Sequence, residues 1–331
     1  MRIFSGIQPT GRKHLGNYIG AITQYVAGQE RGEGIYCVVD LHATTVSYEP
    51  SALRESVFDT AATLLAAGLD PDRCIFFRQS DVTEHTELTW LLSSTTSFGD
   101  LNRMHQFKDK VAGQRDLASA GLFFYPVLMA ADVLAYRAHE VPVGDDQRQH
   151  IELMRDVAER FNARFGELLV VPEGRFPAVG ARVMDLQFPE RKMSTTGGSP
   201  QGTIYVLDEP KTILKKVRSA VTDSGSDVRR APEKPGISNL IEVLAAIRAN
   251  DPQVVEEQFD GSGYGEFKQA VADAVIDYLA PVRERYHELR ADQSGLEQIL
   301  GEGAEKAQAI AAETLADVRE AMGFGRVRLR R

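Results

Sequence analysis

The first half of the chain alternates short apolar runs with helical segments, and this alternation limits the folds open to it. Apolar runs with the length of strands lie at residues 2–7, 35–39, 74–77 and 141–143. Helical periodicity follows the second run over about 51–68 and the fourth over 146–165. This order predicts an α/β fold with a doubly wound parallel sheet, whose ligands bind beyond the carboxyl ends of the strands.

The second half has a different character. From about residue 208 onward the pattern is helical, with helices predicted over 208–221, 238–250, 264–290 and 295–322. A mostly helical segment, 84–138, also interrupts the alternation between the third and fourth strands. We expect a sheet domain over 1–188 that contains this insertion. An all-helical domain should cover 189–331, with a last helix that can pack back on the sheet domain.

Composition narrows the function classes. The 38 basic and 47 acidic residues give a net charge of −9, so RNA contacts must use local patches. The tail 326–331 is one such basic patch, or simply a solvated terminus. We see neither a membrane-spanning apolar run nor a signal peptide. Cys37 and Cys74 have no zinc-site or disulfide spacing. We therefore expect a cytosolic protein without a metal site of its own.

A first motif lies where the opening strand gives way to a helix that begins near His14. The unpaired N–H groups at a helix start suit phosphate oxygens, and His14 and Asn17 add side-chain donors there. Gly16 lacks a Cβ, so a flat ring such as adenine could approach the backbone. The alternative is an ordinary capped first helix of an α/β domain. A second motif, residues 191–196, places Lys192 in a loop rich in Ser, Thr and Gly.

Asp132 is the only polar side chain in the run 127–135. A carboxylate in such surroundings is unfavourable unless a donor meets it. One interpretation is a structural hydrogen bond inside the protein. The other is a flat ligand with an N–H group, such as an indole, which donates and never accepts. Met129, Val141 and Val143 would then be apolar walls, and Phe4 and His42 would flank the ring.

The segment 141–150 lies where the fourth strand yields to a helix. Gly144 permits close backbone approach, Asp146 can accept from ribose hydroxyls, and Gln147 can meet an amino or carboxylate group. An acidic helix start can also be mere capping. Tyr125 has an apolar body and a hydroxyl that can accept from an ammonium group.

The two motifs in this order resemble the HIGH and KMSKS signatures of class I aminoacyl-tRNA synthetases. Within this class, the chain resembles the bacterial tryptophanyl-tRNA synthetases over nearly its whole length. The segments that carry this resemblance are 4–17, 39–43, 106–110, 125–132, 141–150, 192–194, 219–224 and 234–240.

The resemblance implies a Rossmann-like fold, two substrates and a set of residues for each. For tryptophan the set is Asp132, Phe4, His42, Tyr125, Met129, Val141, Val143 and Gln147, with Gln8 also near the amino acid's polar end. For ATP it is Gln8, Thr10, Gly16, Asn17, Gly144, Asp146, Val183, Lys192, Met193 and Ser194. The implied catalytic groups are Lys192, His14, Asn17 and Lys110. The resemblance further implies Mg²⁺ bound with ATP, tRNA(Trp) as acceptor, and a homodimer joined through the 84–138 helices.

One residue departs from the signature. Thr195 stands where the family has a second lysine, and a hydroxyl brings no charge to the leaving pyrophosphate. We expect Lys192, Lys108 or Lys110, and Mg²⁺ to carry that charge instead. The alternatives that remain are a tyrosyl-tRNA synthetase, another nucleotidyltransferase, and a catalytically weak paralogue that binds tryptophan or RNA.

Overall fold

The computed structural model describes residues 1–104, 119–176, 183–194 and 198–325. The chain forms two compact units. The first, called here the sheet unit, comprises Met1–Thr10, Tyr25–Pro177 and Asp292–Arg331, and the second, the helical unit, comprises Gly11–Gln24 and Ala178–Ala291. The functional boundary predicted at residues 188 and 189 stays a prediction.

A parallel sheet forms the centre of the sheet unit. Its described strands are β1 (Arg2–Ile7), β2 (Glu33–Val38), β3 (Cys74–Arg78), β4 (Glu140–Pro142) and β5 (Glu173–Arg175), in the spatial order β3-β2-β1-β4-β5. Neighbouring strands in this order pair in parallel. The predicted α/β fold with a doubly wound parallel sheet is confirmed, together with helical structure after it.

The chain order reverses between β1 and β4. From β1 the chain moves outward to β2 and β3, and then returns to the other side of β1 as β4 and β5. In open α/β sheets the crevice at such a reversal, beyond the carboxyl ends of the strands, is where ligands bind. Residues that follow β1 and β4 therefore face the expected ligand position.

The helices follow the predicted periodicity closely. Those before the lysine loop are α1 (Leu15–Asn17), α2 (Thr23–Gly28), α3 (Pro50–Ala66), α4 (Glu84–Leu92), α5 (Phe98–Arg103), α6 (Ala120–Leu134) and α7 (Arg148–Phe165). A π-helical turn, Tyr18–Ile22, separates α1 from α2. After the loop come α8 (Pro210–Arg218), α9 (Pro235–Arg248), α10 (Pro252–Gln258), α11 (Tyr264–Ala291) and α12 (Gln293–Ala321).

A few expectations need correction. The helix predicted from residue 146 opens with a 3₁₀ turn, Asp145–Gln147, and becomes α-helical only at Arg148. The helix predicted to reach 221 ends at Arg218. β5 and α10 were not predicted, because both are short and largely polar.

The last helix, α12, packs closely against β3 within the sheet unit. A Cβ added at Gly303 would lie 1.8 Å from the carbonyl oxygen of Phe76, so only glycine lets the helix approach the strand this closely. At the edge of the same contact, Arg78 donates to Glu297. The backbone of β3 is thus covered by a helix that lies more than 200 residues later in the chain.

This contact predicts opposite effects for two glycines of one helix. Gly303→Ala should destabilise the protein by about 1–3 kcal/mol, because the added methyl group forces helix and strand apart. Gly301→Ala is the matched control, since an added Cβ there meets no described atom within 4 Å. It should stabilise the protein by about 0.5–1 kcal/mol through helix propensity. Urea unfolding followed by circular dichroism measures both, and equal midpoints would contradict the close contact.

Candidate functional site

The ends of β1 and β4 bring four predicted residues to the reversal point of the sheet. Gln8 follows β1 directly, and Gly144, Asp146 and Gln147 follow β4. A Cβ at Gly144 would lie 2.7 Å from Asp146 Oδ1, so the Asp146 carboxylate lies close against the backbone of this glycine. Gln147 donates from its amide nitrogen to Gly144 and from its side chain to Asp146. Gly144 and Asp146 are exposed, as a ligand-binding position requires.

Asp132 lies on α6 with 2% of its surface exposed, and both of its oxygens are hydrogen-bonded. Oδ2 accepts from His42 Nε2 at 2.8 Å. Oδ1 accepts from Gln79 Nε2 at 2.7 Å and from His85 Nδ1 at 2.6 Å. The protein therefore supplies three donors that compensate for the loss of water around this carboxylate.

The sheet itself positions two of these donors. His42 lies in a 3₁₀ turn, Leu41–Thr45, that follows β2, and Gln79 begins a similar turn directly after β3. Gln79 Oε1 accepts from the Leu41 backbone at 3.0 Å, which leaves the amide nitrogen as the group that faces Asp132. The carboxyl ends of neighbouring parallel strands thus converge on the acidic side chain.

The environment of Asp132 decides its charge. Burial alone raises the pKa of this carboxyl group, but the hydrogen bonds from His42 and His85 outweigh that effect and hold the pKa well below its usual range. Asp132 is therefore an ionised, acceptor-only group at neutral pH.

The side chains predicted as apolar walls belong to or pack on the core of the sheet unit, and their place around a ligand stays a prediction. Phe4 and Val141 are buried, while Met129 and Val143 are partly buried and pack against the same core. The ring of Tyr125 lies edge-on to that of His42, with centroids 6.2 Å apart.

The hydroxyl of Tyr125 has a defined partner in the same region. It lies 2.8 Å from His150 Nε2. Burial raises the pKa of Tyr125 to about 12, so its hydroxyl stays protonated.

The structure also identifies polar residues that the sequence analysis missed. Gln79 and His85 both contact Asp132, and Tyr136 contacts His85. Gln79 follows a strand end, a position that could have marked it as a site residue. His85 is the second residue of α4, between Glu84 and Thr86, and no spacing in the sequence connects it to Asp132.

The first motif forms a reciprocal helix cap in the helical unit. His14 is the N-cap of α1: its Nδ1 accepts from the Asn17 amide at 3.2 Å, and Asn17 Oδ1 accepts from the His14 amide at 3.2 Å. The remaining ring nitrogen, Nε2, therefore carries the proton of the neutral imidazole and can donate. The His14 ring can therefore cap α1 through Nδ1 and still offer Nε2–H as the predicted donor.

Burial and two lysines keep this imidazole neutral. Burial, and then the positive charges of Lys192 and Lys13, lower the pKa of His14 to about 4. A neutral donor at a helix start suits an anionic ligand such as a phosphate.

The lysine loop and the first motif approach each other inside the helical unit. A Cβ at Gly16 would lie 3.1 Å from the His14 ring and 3.4 Å from Val183 Cβ, so glycine lets these groups close in. The Met193 amide donates to the Val183 carbonyl at 3.0 Å, and Lys192 pairs with Met184. Val183 and Met193 are buried, whereas Lys192 is exposed and Ser194 is partly buried.

Several predicted residues lie outside the described part of the chain. They are Lys108, Lys110, Thr195 and the basic tail 326–331. Within the described ranges, no helix is both long and apolar enough to cross a membrane. The same ranges contain no cluster of three or more His, Cys, Asp or Glu side chains suited to hold a metal ion.

Comparison with known proteins agrees with this arrangement. The tryptophan--tRNA ligase 2 of Streptomyces avermitilis is 52% identical over 326 residues, which cover 98% of this chain and 97% of that protein. The tryptophan--tRNA ligase of Caldanaerobacter subterraneus subsp. tengcongensis is 47% identical over 324 residues and covers 98% of each chain.

Solved structures show the same likeness. Tryptophanyl-tRNA synthetase from Mycoplasma pneumoniae has a TM-score of 0.88 at 36% identity, with 98% of each chain covered. The Campylobacter jejuni enzyme, complexed with ADP and tryptophan, has a TM-score of 0.85 at 38% identity, covering 98% of this chain and all of that one (100%). The family model for class I tRNA synthetases (W and Y) matches residues 1–280. This chain therefore belongs to the class I tRNA synthetases of the tryptophan and tyrosine group.

Proposed function

We propose that this chain is a tryptophan--tRNA ligase, which activates L-tryptophan with ATP and transfers it to tRNA(Trp). The observation that carries the proposal is the ionised Asp132 carboxylate, buried between apolar side chains near the carboxyl ends of the strands. Relatives at 47–52% identity over nearly the whole chain, all of them tryptophan--tRNA ligases, support the same activity.

Tryptophan recognition follows from the chemistry of Asp132. An indole N–H can only donate and an ionised carboxylate can only accept, so the two match. Phe4, Val141, Met129 and Val143 supply apolar area for the ring, with His42 beside it. Tyr125 and Gln147, together with Gln8, would hold the ammonium and carboxylate groups. A ligand without the N–H would leave the buried acceptor unsatisfied, and such mismatches discriminate by about 10⁴–10⁵.

The first chemical step needs no protein base. The carboxylate of tryptophan is already ionised at neutral pH and attacks the α-phosphorus of ATP in line. The bond from that phosphorus to the bridging oxygen breaks, and pyrophosphate leaves with the electron pair. Catalysis then consists of positioning and of stabilising the growing negative charge.

The proposed nucleotide-binding residues are Gln8, Thr10, His14, Gly16, Asn17, Gly144, Asp146, Val183, Lys192, Met193 and Ser194. The neutral His14 ring donates from Nε2 to a phosphate oxygen, with Asn17 beside it at the helix start. Lys192 supplies positive charge. We propose that Mg²⁺ enters as its ATP complex, and that Lys110 or Lys108 adds charge where Thr195 replaces the usual lysine.

In the second step a terminal ribose hydroxyl of tRNA attacks the tryptophanyl carbonyl, and AMP leaves. We propose that the helices of residues 208–290 contact the anticodon region. The expectation of a cytosolic location stays a prediction.

Pyrophosphate exchange with different amino acids tests this function directly. Tryptophan should support ATP–pyrophosphate exchange, whereas tyrosine and phenylalanine should do so at least 10⁴-fold less efficiently, by the mismatch argument. Preferred exchange with tyrosine would favour a tyrosyl-tRNA synthetase. Tryptophan binding by equilibrium dialysis without any exchange would indicate an accessory binding protein.

Loss of the signature lysine should reduce activation. Lys192→Ala should slow the exchange rate by about 10²–10³, as the loss of one preorganised donor does elsewhere, with a smaller change in the KM for tryptophan. Lys211→Ala, which removes an exposed lysine of α8, is the matched control and should retain the wild-type rate. An unchanged rate for Lys192→Ala would defeat its assignment.

We also propose that the chain forms a homodimer through the helices of the 84–138 segment. Trp90 and Phe98 each have 73% of their surface exposed, which is unusual for large apolar side chains. The centroid of the Phe98 ring lies 5.2 Å from that of Phe123, so these two rings form an aromatic pair within the predicted interface segment.

The single tryptophan of the chain makes this interface measurable. Trp90 is the only tryptophan, so its emission reports on the 84–138 segment when no free tryptophan is present. Dilution should shift the emission to longer wavelength as dimers dissociate, and Phe98→Glu should give monomers by light scattering. Val254→Glu, at a residue 47% exposed on α10, should leave the mass unchanged. A monomeric wild type at micromolar concentration would contradict the proposal.

A further inference from the structure

The two oxygens of Asp132 are used unequally. Oδ1 accepts two hydrogen bonds, from Gln79 and His85, whereas Oδ2 accepts from His42 alone among the residues that the structure describes. Each carboxylate oxygen offers two lone-pair sites. Oδ1 is therefore saturated by the protein, and Oδ2 retains one site for a further donor.

The hydrogen-bond chain through His85 fixes the tautomer of that ring. His85 Nδ1 lies 2.6 Å from the carboxylate, so it must carry the ring proton. In a neutral imidazole the other nitrogen accepts, and His85 Nε2 lies 2.7 Å from the Tyr136 hydroxyl. Burial raises the pKa of Tyr136 well above its usual value, so the hydroxyl stays protonated and donates. The donors run in one direction, from Tyr136 through His85 to Asp132.

Packing encloses Tyr136 and His85, the two donors of this chain. Tyr136 and His85 are fully buried, at 0% exposure. The Tyr136 ring stacks on that of Phe4, with centroids 5.4 Å apart. It lies edge-on to the ring of Phe77, with centroids 5.8 Å apart. Phe4 belongs to the proposed tryptophan set, so the same ring that orients His85 also supports a wall of that site.

We propose that Tyr136 and His85 are positioning residues for tryptophan selectivity: they hold Asp132 Oδ1 so that Oδ2 meets the indole N–H. Neither residue touches the substrate. Tyr136 selects the donating tautomer of His85, and His85 fixes the rotation of the carboxylate. This inference rests on the proposed function, because it assigns the partner of Oδ2 as the indole of tryptophan.

The test compares tryptophan with β-(3-benzothienyl)alanine, in which sulfur replaces the indole N–H. Tyr136→Phe should raise the KM for tryptophan about tenfold, the effect of one lost buried hydrogen bond, with kcat and the KM for ATP within twofold of wild type. The preference for tryptophan over the sulfur analogue should fall by the same factor. A structural role alone would move the thermal midpoint and both KM values together, without changing that preference.

Variants of His85 provide a second, independent test of the proposal. His85→Ala removes the donor to Oδ1 and should lower the preference further than Tyr136→Phe does. His85→Asn keeps an amide donor near the Nδ1 position and should restore part of it. In the His85→Ala background, Tyr136→Phe should have no further effect on the preference, because the hydroxyl acts only through His85. If the two substitutions lowered the preference additively, Tyr136 would not act through His85, and the proposal would be overturned.

Tyr36→Phe is the matched control. Tyr36 is also a fully buried tyrosine of the sheet unit, and its hydroxyl has no hydrogen-bond partner in the described structure. Its removal should leave the preference unchanged. Wild-type preference in both Tyr136→Phe and His85→Ala would overturn the positioning role. Absence of tryptophan-dependent exchange in the wild-type protein, or wild-type preference in Asp132→Ala, would instead defeat the proposed function or its use of Asp132.

Discussion

The interaction on which the site depends is the compensation of one buried charge. An ionised carboxylate inside an apolar core is tolerated only when donors replace the water it has lost. Here the donors come from the turn after β2, the turn after β3 and helix α4, and they meet Asp132 on α6. The parallel sheet makes this possible because the carboxyl ends of its strands lie side by side.

The site proposed on the helical unit has the opposite requirement, because it must attract negative charge. It presents a helix start, a neutral histidine donor and an exposed lysine, rather than a buried anion. Both nitrogens of the His14 ring have a role. Nδ1 accepts from the Asn17 amide in the cap of α1, and Nε2 carries the proton that can be donated. In the proposed function Asp132 selects the amino acid and the helix start binds phosphate, and the activation chemistry needs both.

Much of this arrangement could be predicted from the sequence, and the limits have physical causes. Periodicity located β1, β3 and the long helices, because their apolar positions repeat regularly. β5 escaped detection since its three residues are largely solvent-accessible. Asp132 was identifiable by its isolation among apolar neighbours, but its partner His85 was not. The two are 47 residues apart, and only the packing of α4 on α6 brings them together. The assignments that depend on Lys110 and Thr195 concern residues beyond the described ranges.

The three hydrogen bonds to the Asp132 carboxylate also bear on how the amino acid choice proposed for this chain can change. Replacing Asp132 alone would leave the donors of Gln79, His42 and His85 without their acceptor. The substitution would therefore lower the stability of the protein as well as its recognition of the amino acid. A route to a different side chain must therefore alter several partners at once. Single substitutions should therefore rarely change the proposed specificity. A redesign should begin with His42, His85 and Gln79, which hold the Asp132 carboxylate.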